Sequence, residues 1–268
     1  MFRLSRAVRF AIDSRGSAPR ADSITRAVNG HAGSPPLVGI GYFFTLDVAL
    51  KGELDPQTSY LLNIKHVDDA VRRGVVPLVR ERIASHTFGG GATVAREIFA
   101  TLRDAFTGAT LDAVTLHLSP FLSLCAKASE LPMVRLSQKF EFSASHRLHN
   151  PAFTDERNRT AFGKCNNPHG HGHNYELQVT LLGAADEKSG LVIDVPRFES
   201  IVNEAVIQRF DHKNLNVEVA EFRDLNPSVE NIAATIYRLL KPRFAAEHAK
   251  LASVTVWETP KTWAEYAE

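Results

Sequence analysis

The sequence predicts an α+β fold with two tandem domains, each an antiparallel four-stranded sheet with two helices on one face. The first observation behind this prediction is an internal repeat, because residues 46–52 (LDVALKG) resemble residues 177–183 (LQVTLLG), 131 positions further along. The second is the alternation of apolar and polar residues typical of strands, and the third is the helical spacing of apolar residues between them. A repeat this long indicates two copies of one domain rather than a solenoid.

Further matches extend the repeat toward the end of each half. They are Asp55 with Asp186, Asn63 with Asp194, residues 114–115 (VT) with 254–255 (VT), and residues 119–120 (SP) with 259–260 (TP). We therefore expect residues 1–130 to form the first domain and residues 131–268 the second.

Two neighbouring strands are predicted at the start of the second half. Residues 134–148 alternate, and their apolar face ends with His146. Residues 174–181 alternate as well, and His171 and His173 lie in register with the apolar face of that strand. The apolar positions are Val134, Leu136, Phe140, Phe142 and Ala144 in the first strand, and Tyr175, Leu177, Val179 and Leu181 in the second.

Two amphipathic helices are predicted further along the second half. Pro196 follows Asp194 and suits a first helical turn, with apolar residues after it at helical spacing. Ser228 is a typical N-cap for the other helix. The inner stripe of that helix comprises Ile232, Ile236, Leu239 and Leu240.

A cluster of metal-binding side chains is the most specific feature of the second half. Residues 165–175 (CNNPHGHGHNY) carry one thiol and three imidazoles. A lone histidine on an apolar face is usually a hydrogen-bonded core residue, but His171 and His173 share a face and His146 lies on the neighbouring strand. Three histidines that leave a fourth position open are the ligand set of a catalytic zinc rather than a structural one. We expect His169 to lie on the loop side, outside the ligand set.

Four further side chains are candidates for chemistry. Adjacent Asp211 and His212 suit a relay in which the carboxylate orients the imidazole, although a histidine at a helix C-terminus is also the ordinary arrangement. Glu258 ends an apolar strand face, where it would need either a salt-bridge partner or a ligand with two N–H groups. Glu230 begins a helix, which the helix dipole alone explains, but it is also a candidate for substrate binding.

Composition excludes several classes of function. The formal net charge of +1 gives no basic field for nucleic acid, and no apolar run approaches the roughly 18 residues of a membrane span. Two cysteines, Cys125 and Cys165, fit a reducing compartment, so we expect a cytoplasmic protein. Residues 1–26 are rich in Arg and Ser, as transit peptides are, but Asp13 and Asp22 interrupt them and we expect a strand in their first part.

The first half lacks the candidate ligands of the second. Each candidate of the second half is paired with a residue of the first half. These pairs are His171 with Ile40, His173 with Tyr42, Cys165 with Ser34, His146 with a position near Ser14, and Glu258 with Leu118. We expect the first domain to have kept the fold without the metal site.

These motifs together resemble the 6-pyruvoyltetrahydropterin synthase family. The resemblance covers the second half from Phe140 to the C-terminus. The matching segments are 142–148 (FSASHRL), 163–168 (GKCNNP), 171–175 (HGHNY), 211–215 (DHKNL), 228–231 (SVEN) and 257–259 (WET).

The resemblance implies the tunnelling fold (T-fold) and a zinc ion on His146, His171 and His173. It also implies that Cys165 is the catalytic thiol and that Glu258 anchors a pterin ring, with Glu230 as a second substrate-binding candidate. The dyad of Asp211 and His212 would assist at a site shared with a neighbouring subunit. The expected assembly is a homo-oligomer, and the fused first half suggests a trimer of two-domain chains with three zinc sites.

The spacing of the motif bears on which reaction is expected. Five residues separate Cys165 from His171, as in family members that convert 7,8-dihydroneopterin triphosphate to 6-pyruvoyltetrahydropterin, whereas 6-carboxytetrahydropterin synthases have three. A competing register through His169 would leave three, but His173 leads directly into the strand. A carboxytetrahydropterin synthase and a non-catalytic pterin-binding protein remain the alternatives. Candidate cations for the triphosphate are Lys164, Arg147 and Arg159.

Overall fold

The described residues pack as two units. The structure, a computed structural model, describes residues 1–13 and 41–268. The first unit comprises the described part of Met1–Leu136 together with Gly183–Val192, and the second comprises Ser137–Leu182 and Ile193–Glu268. Ser14, Ser34 and Ile40, which the repeat pairs with the candidate site, lie outside the described residues.

Four strands form the sheet of the first unit, in the order β1-β2-β3-β4 with antiparallel neighbours. Val8, Phe10 and Ile12 alternate on the buried face of the first strand, which confirms a strand at the start of the chain. The strands are β1 (Phe2–Asp13), β2 (Gly41–Gly52), β3 (Thr110–His117) and β4 (Leu122–Lys127).

A long helical segment accompanies this sheet. It consists of α1 (Ile64–Ala70), a π-helical turn (Val71–Val75) and α2 (Val76–Ala84), and a further helix, α3 (Ala92–Leu102), follows. The side chain of Asn63 caps α1 by accepting a hydrogen bond from the backbone N–H of Lys65 at 3.0 Å. Valines at every fourth position form a fully buried stripe along this segment, at Val67, Val71, Val75 and Val79.

The residues Gly183–Val192 belong to the first unit because of a close backbone contact. The N–H of Gly90 donates to the carbonyl of Ser189 at 2.9 Å. A side chain at Gly90 would place its Cβ 2.3 Å from Leu191, so only glycine permits this approach.

The second unit has the strand order β5-β6-β8-β9, and a short strand, β7, pairs with β5 in parallel. The pairs β6–β8 and β8–β9 are antiparallel. The strands are β5 (Val134–His146), β6 (His171–Gly183), β7 (Lys213–Asn214), β8 (Lys250–Thr259) and β9 (Thr262–Tyr266).

The two predicted helices of this unit are confirmed at their capping residues. Asp194 caps α5 through the N–H of Arg197, and Ser228 caps α8 through the N–H of Asn231. The helices are α4 (Asp155–Phe162), α5 (Val195–Val202), α6 (Gln208–Phe210), α7 (Leu215–Glu218) and α8 (Val229–Phe244), with a π-helical turn at Asn203–Ile207 and 3₁₀ turns at Gly163–Asn166 and Ala220–Phe222. A membrane-crossing helix, long and apolar throughout, is not found in residues 1–13 and 41–268.

A β-bulge recurs at the repeat spacing. The pairing of β2 with β3 shifts register between Ala49 and Leu50, and the pairing of β6 with β8 shifts between Thr180 and Leu181. These two positions are 131 residues apart, like the matched sequence segments. Bulges bend and twist a strand, so the two sheets share a local distortion as well as a sequence pattern.

An aspartate-centred loop recurs at the same spacing. The carboxylate of Asp55 accepts hydrogen bonds from the backbone N–H groups two and three residues later and from the hydroxyl of Thr58. Asp186 accepts the same three bonds, with Ser189 supplying the hydroxyl. The matched aspartates therefore serve the turn after each strand rather than a reaction.

Candidate metal centre

Three histidines and one glutamate of the second unit hold their ligand atoms within 4.8 Å of one another. Nε2 of His146 lies 3.1 Å from Nε2 of His171 and 3.2 Å from Oε1 of Glu258. Nε2 of His173 lies 3.5 Å from the same glutamate oxygen. Among residues 1–13 and 41–268, no other group of three or more His, Cys, Asp or Glu side chains has this geometry.

Strand alternation positions the three histidines. His146 is the last residue of β5, on the same face as buried Phe142. His171 and His173 open β6 on the face that continues with fully buried Tyr175. Because β5 and β6 are neighbours, their alternating faces converge at one end of the sheet.

A bulge positions the carboxylate of Glu258. In the pairing of β8 with β9, Trp257 is opposite Trp263 and Thr259 is opposite Thr262, so Glu258 is the extra residue. Bulges re-aim side chains, and this one coincides with the carboxylate that lies beside the histidines. Sequence reasoning placed Glu258 at a strand end but not in the histidine group, since that proximity depends on pairing register.

A backbone carbonyl orients His146. Its Nδ1 donates to the carbonyl oxygen of Pro227 at 2.7 Å, and the side chain is fully buried. With the proton on Nδ1, the lone pair of Nε2 points toward His171 and Glu258. A histidine held in one tautomer by such a bond is the usual arrangement for a metal ligand.

The electrostatics of the group favour neutral imidazoles at His171 and His173 and an ionised carboxylate at Glu258. Burial, followed by the neighbouring imidazole of His146, lowers the pKa of His171, and burial also lowers the pKa of His173. The neighbouring imidazole of His146 holds the pKa of Glu258 below its usual range. Metal ligands must be deprotonated, so these shifts prepare the group for a cation.

The fit of a metal ion is supported by one unsatisfied atom. Nε2 of His173 is buried and has no hydrogen-bond partner among the described residues, although Glu258 is within ion-pair range. Buried polar atoms are nearly always satisfied, and an ion between these side chains would satisfy this one. Imidazole nitrogens with a carboxylate oxygen are a donor set that zinc accepts.

An aromatic pair lies behind the histidines. The ring of Tyr175 stacks on Phe142 with centroids 4.9 Å apart, and it lies 5.6 Å from the ring of His173. The hydroxyl of Tyr175 is buried without a hydrogen-bond partner among the described residues, and burial raises its pKa, so it stays protonated. Sequence reasoning treated Tyr175 only as an apolar position, because an unpartnered hydroxyl has no sequence signal.

Cys165 lies beside the metal group in an open cavity of about 640 Å³, which His171 also lines. The thiol is free and half-buried, within the 3₁₀ turn that follows α4. The backbone N–H of Leu148 donates to the carbonyl of Cys165 at 2.8 Å and ties this turn to the end of β5. The predicted thiol and one predicted metal ligand therefore share a cavity.

The loop from the thiol to the histidines passes close to β5. Gly170 has a φ of +73°, and a Cβ there would lie 3.0 Å from the carbonyl oxygen of His146. Both features require glycine. His169, just before it, is exposed and outside the histidine group.

The dyad of Asp211 and His212 is attached to β5 at Ser143. The carboxylate accepts from the N–H of Ser143 at 2.8 Å, its other oxygen lies 2.8 Å from Nδ1 of His212, and the N–H of His212 donates to the carbonyl of Ser143 at 2.6 Å. The bond from Ser143, followed by that with His212, lowers the pKa of Asp211. These bonds hold His212 at a φ of +57°, which is costly for a residue with a Cβ.

Neither the dyad nor Glu230 joins the metal group. The side chain of His212 is 82 % exposed, and alternation along β5 puts Ser143 on the opposite face from His146. Glu230 is exposed in the first turn of α8. Among the described residues, no hydrogen bond or ion pair links either to the histidines.

Comparison with known proteins identifies the family. The fold and site define a protein with a sheet-borne histidine centre and an adjacent thiol. Residues 135–268, half of the chain, match the family described as 6-pyruvoyl tetrahydropterin synthase, and the chain belongs to this family. The resemblance inferred from the motifs is thus confirmed.

Individual relatives match the same half. A 6-pyruvoyl tetrahydrobiopterin synthase of Homo sapiens is 41 % identical over 125 residues, which cover 47 % of this chain and 85 % of the relative. One of Drosophila melanogaster is 37 % identical over 143 residues, which cover 52 % of this chain and 82 % of the relative. The solved structure of the Caenorhabditis elegans 6-pyruvoyl tetrahydropterin synthase has a TM-score of 0.49 at 36 % identity and covers 52 % of this chain and 98 % of that one.

Proposed function

We propose that the chain is a zinc-dependent 6-pyruvoyltetrahydropterin synthase, a lyase that converts 7,8-dihydroneopterin triphosphate to 6-pyruvoyltetrahydropterin with loss of triphosphate. The observation that carries this proposal is the shared cavity, in which the thiol of Cys165 lies beside His171 of the metal group. The named relatives, 37 % and 41 % identical, are 6-pyruvoyl tetrahydrobiopterin synthases, which supports the pyruvoyl product.

His146, His171 and His173 would hold the zinc, with His146 oriented by Pro227. When bound, the ion supplies Lewis acidity to the side-chain hydroxyls of the substrate. The buried, neutral imidazoles suit this role, because burial lowers the pKa of His171 and of His173.

Cys165 would move the proton at the substrate side chain, because it is the free thiol beside the metal group. His212 would relay protons, and Asp211 would fix its tautomer and stabilise the imidazolium. The exposure of His212 and its separation from the histidine group support a role at a site completed by a neighbouring subunit.

Glu258 would anchor the pterin ring by accepting N–H groups. Its Oε1 faces His146 and His173. Glu230, exposed at the start of α8, would be a further contact to the substrate.

The first unit would be a second copy of the T-fold without a metal site. The bulges and the aspartate loops that recur in the two halves of the sequence support a shared fold. Tyr42 and Leu118 stand at the counterparts of His173 and Glu258, and no metal-binding group is found among the described residues of this unit. The assembly would then be a trimer of two-domain chains with one zinc per chain.

Product analysis tests the function directly. The zinc-loaded chain is incubated with 7,8-dihydroneopterin triphosphate, and the pterin product is identified by mass spectrometry. The 6-pyruvoyl product is expected. A 6-carboxy product with acetaldehyde would assign the chain to the other reaction, and bound pterin without turnover would indicate a binding protein.

A separate measurement tests the assembly. Native mass spectrometry with zinc analysis is expected to give three chains and one zinc per chain. Six chains would contradict the proposed trimer, and two zinc ions per chain would contradict the proposed loss of the site from the first unit.

A further inference from the structure

The cavity beside Cys165 carries two cationic side chains and no carboxylate among the described residues that line it. Arg159 lies in the last turn of α4, and Lys164 lies in the 3₁₀ turn that follows. Both are exposed, and neither side chain has an ion-pair or hydrogen-bond partner within residues 1–13 and 41–268. Two unpaired positive charges therefore face one cavity next to the thiol.

A third basic residue nearby is engaged elsewhere. Nε of Arg147 donates to the backbone carbonyl of Asn166 at 3.2 Å, and Arg147 does not line the cavity. This bond and the bond from Leu148 to Cys165 attach the 3₁₀ turn to the residues that follow β5. Of the three cations that the sequence offered for a phosphate chain, the structure thus leaves Arg159 and Lys164 free to bind a ligand.

The local backbone favours a preformed site. Helix α4 is capped by Thr154 and ends at Phe162, and the next residue, Gly163, turns the chain with a φ of +52°. Nothing lies within 4 Å of a Cβ built at Gly163, so the surface there is open to a ligand. A site held by its own backbone loses little conformational entropy when an anion binds.

We propose that Arg159 and Lys164 bind the triphosphate chain of the substrate in this cavity, an inference that rests on the proposed function. The volume of about 640 Å³ falls within the range of small-molecule sites. A guanidinium binds phosphate oxygens in pairs, and an ammonium adds a compact charge. His171 on the cavity wall places the polyphosphate next to the metal group, with the pterin side chain between them.

Inorganic tripolyphosphate is the probe for this subsite. Isothermal titration of the zinc-loaded chain is compared among wild type, Arg159→Gln, Lys164→Gln and the double variant, with bound zinc measured afterwards because polyphosphate chelates it. Each single substitution should weaken binding by about tenfold, and the double variant should abolish it. Added salt should weaken the wild-type affinity, because the contacts are partly exposed charges.

Arg157→Gln is the matched control, since it removes the same charge from the same helix. Arg157 is exposed, stacks over Phe153 with its guanidinium 3.7 Å from the ring centroid, and does not line the cavity. The Arg157→Gln variant should therefore bind tripolyphosphate as tightly as wild type does. If all three single variants weaken binding equally, the anion responds only to net charge and the subsite is wrong.

Kinetics separate this inference from the proposed function. With 7,8-dihydroneopterin triphosphate, the cavity variants should raise KM more than they lower kcat, and binding of unphosphorylated 7,8-dihydroneopterin should not change. Turnover by wild type with unaltered KM in both variants would overturn the subsite and leave the function. Selective loss of tripolyphosphate binding in a chain without turnover would leave the subsite and overturn the function.

Discussion

His146 and Pro227 are joined by a 2.7 Å hydrogen bond from the imidazole Nδ1 to the backbone carbonyl. Pro227 immediately precedes Ser228, the residue that caps α8, so the start of that helix fixes the orientation of a histidine on β5. The start of α8 is therefore hydrogen-bonded to the candidate metal centre, and Nε2 of His146 faces His171 and Glu258.

Removing His173 is expected to abolish stable zinc binding. His173→Gln should lower zinc affinity by more than the ~10–100-fold that loss of a supporting hydrogen bond costs a metal site. His173 is chosen because it is less buried than His146, so the variant should keep its fold, which circular dichroism checks. The control is His169→Gln, because His169 is exposed. If His173→Gln keeps zinc and His169→Gln loses it, the metal is bound through His169 and His171 instead.

Cys165→Ala is expected to abolish turnover while zinc and pterin binding remain. The thiol lines the cavity beside His171 and is not in the histidine group, so its removal takes away proton transfer and not a ligand. Turnover, zinc content and pterin affinity are measured together. Cys125, whose thiol pKa is raised by burial, gives the control Cys125→Ala, which should keep its activity. Near-normal activity of Cys165→Ala would remove this thiol from the mechanism.

Glu258→Gln is expected to weaken pterin binding by about 10–100-fold, because it replaces charge-assisted hydrogen bonds by neutral ones. The measurement is titration with a fluorescent pterin, alongside zinc analysis. Since Glu258 lies within 3.2 Å of His146, the zinc analysis decides between two roles. Retained zinc supports ring anchoring, whereas loss of zinc with unchanged pterin affinity would make Glu258 a metal ligand. Glu230→Gln, on α8 outside the group, provides the comparison.

Asp211→Asn is expected to lower stability at neutral pH but not in acid. The bond from Ser143 lowers the pKa of Asp211 in the folded state, so the ionised carboxylate stabilises the fold above its ordinary pKa of about 3.9. That contribution to stability is lost as the pH falls through the lowered pKa of Asp211 in the folded state. Because the side chain is 35 % exposed, solvent screening limits the loss to below about 1 kcal/mol.

Thermal unfolding in the presence of a chelator measures this difference without interference from zinc loss. The midpoints of wild type and Asp211→Asn should differ at pH 7, and the difference should shrink as the pH is lowered from 7 to 3. Asp224, which is exposed and has no hydrogen bond or ion pair among the described residues, gives the control Asp224→Asn. A difference between Asp211→Asn and wild type that persists unchanged at pH 3 would show that the carboxylate's charge has no part in it.

Local patterns were sufficient to predict much of the second unit. Alternation placed His171 and His173 on one face, and Pro196 and the capping residue Ser228 marked the starts of the two helices. Such features depend on neighbours along the chain. The position of Glu258 beside the histidines was not predictable, since it arises from a bulge between β8 and β9.

Other features escaped prediction because they depend on tertiary contacts. Helix α4 has few buried apolar residues and so no clear stripe, yet it carries Arg159 to the cavity of Cys165. The packing of Gly183–Val192 with the first unit depends on the close backbone approach at Gly90. The internal repeat does not predict this contact.

The aspartate loops at Asp55 and Asp186 allow the first half of the sequence to be compared with the second, position by position. The paired aspartates agree in residue type and in bonding, and both serve the turn that follows a strand. At Leu118 and Glu258 the two halves differ, and only Glu258 lies beside the histidines. Replacing candidate site residues of the second half with their counterparts from the first half should therefore abolish activity without unfolding the chain.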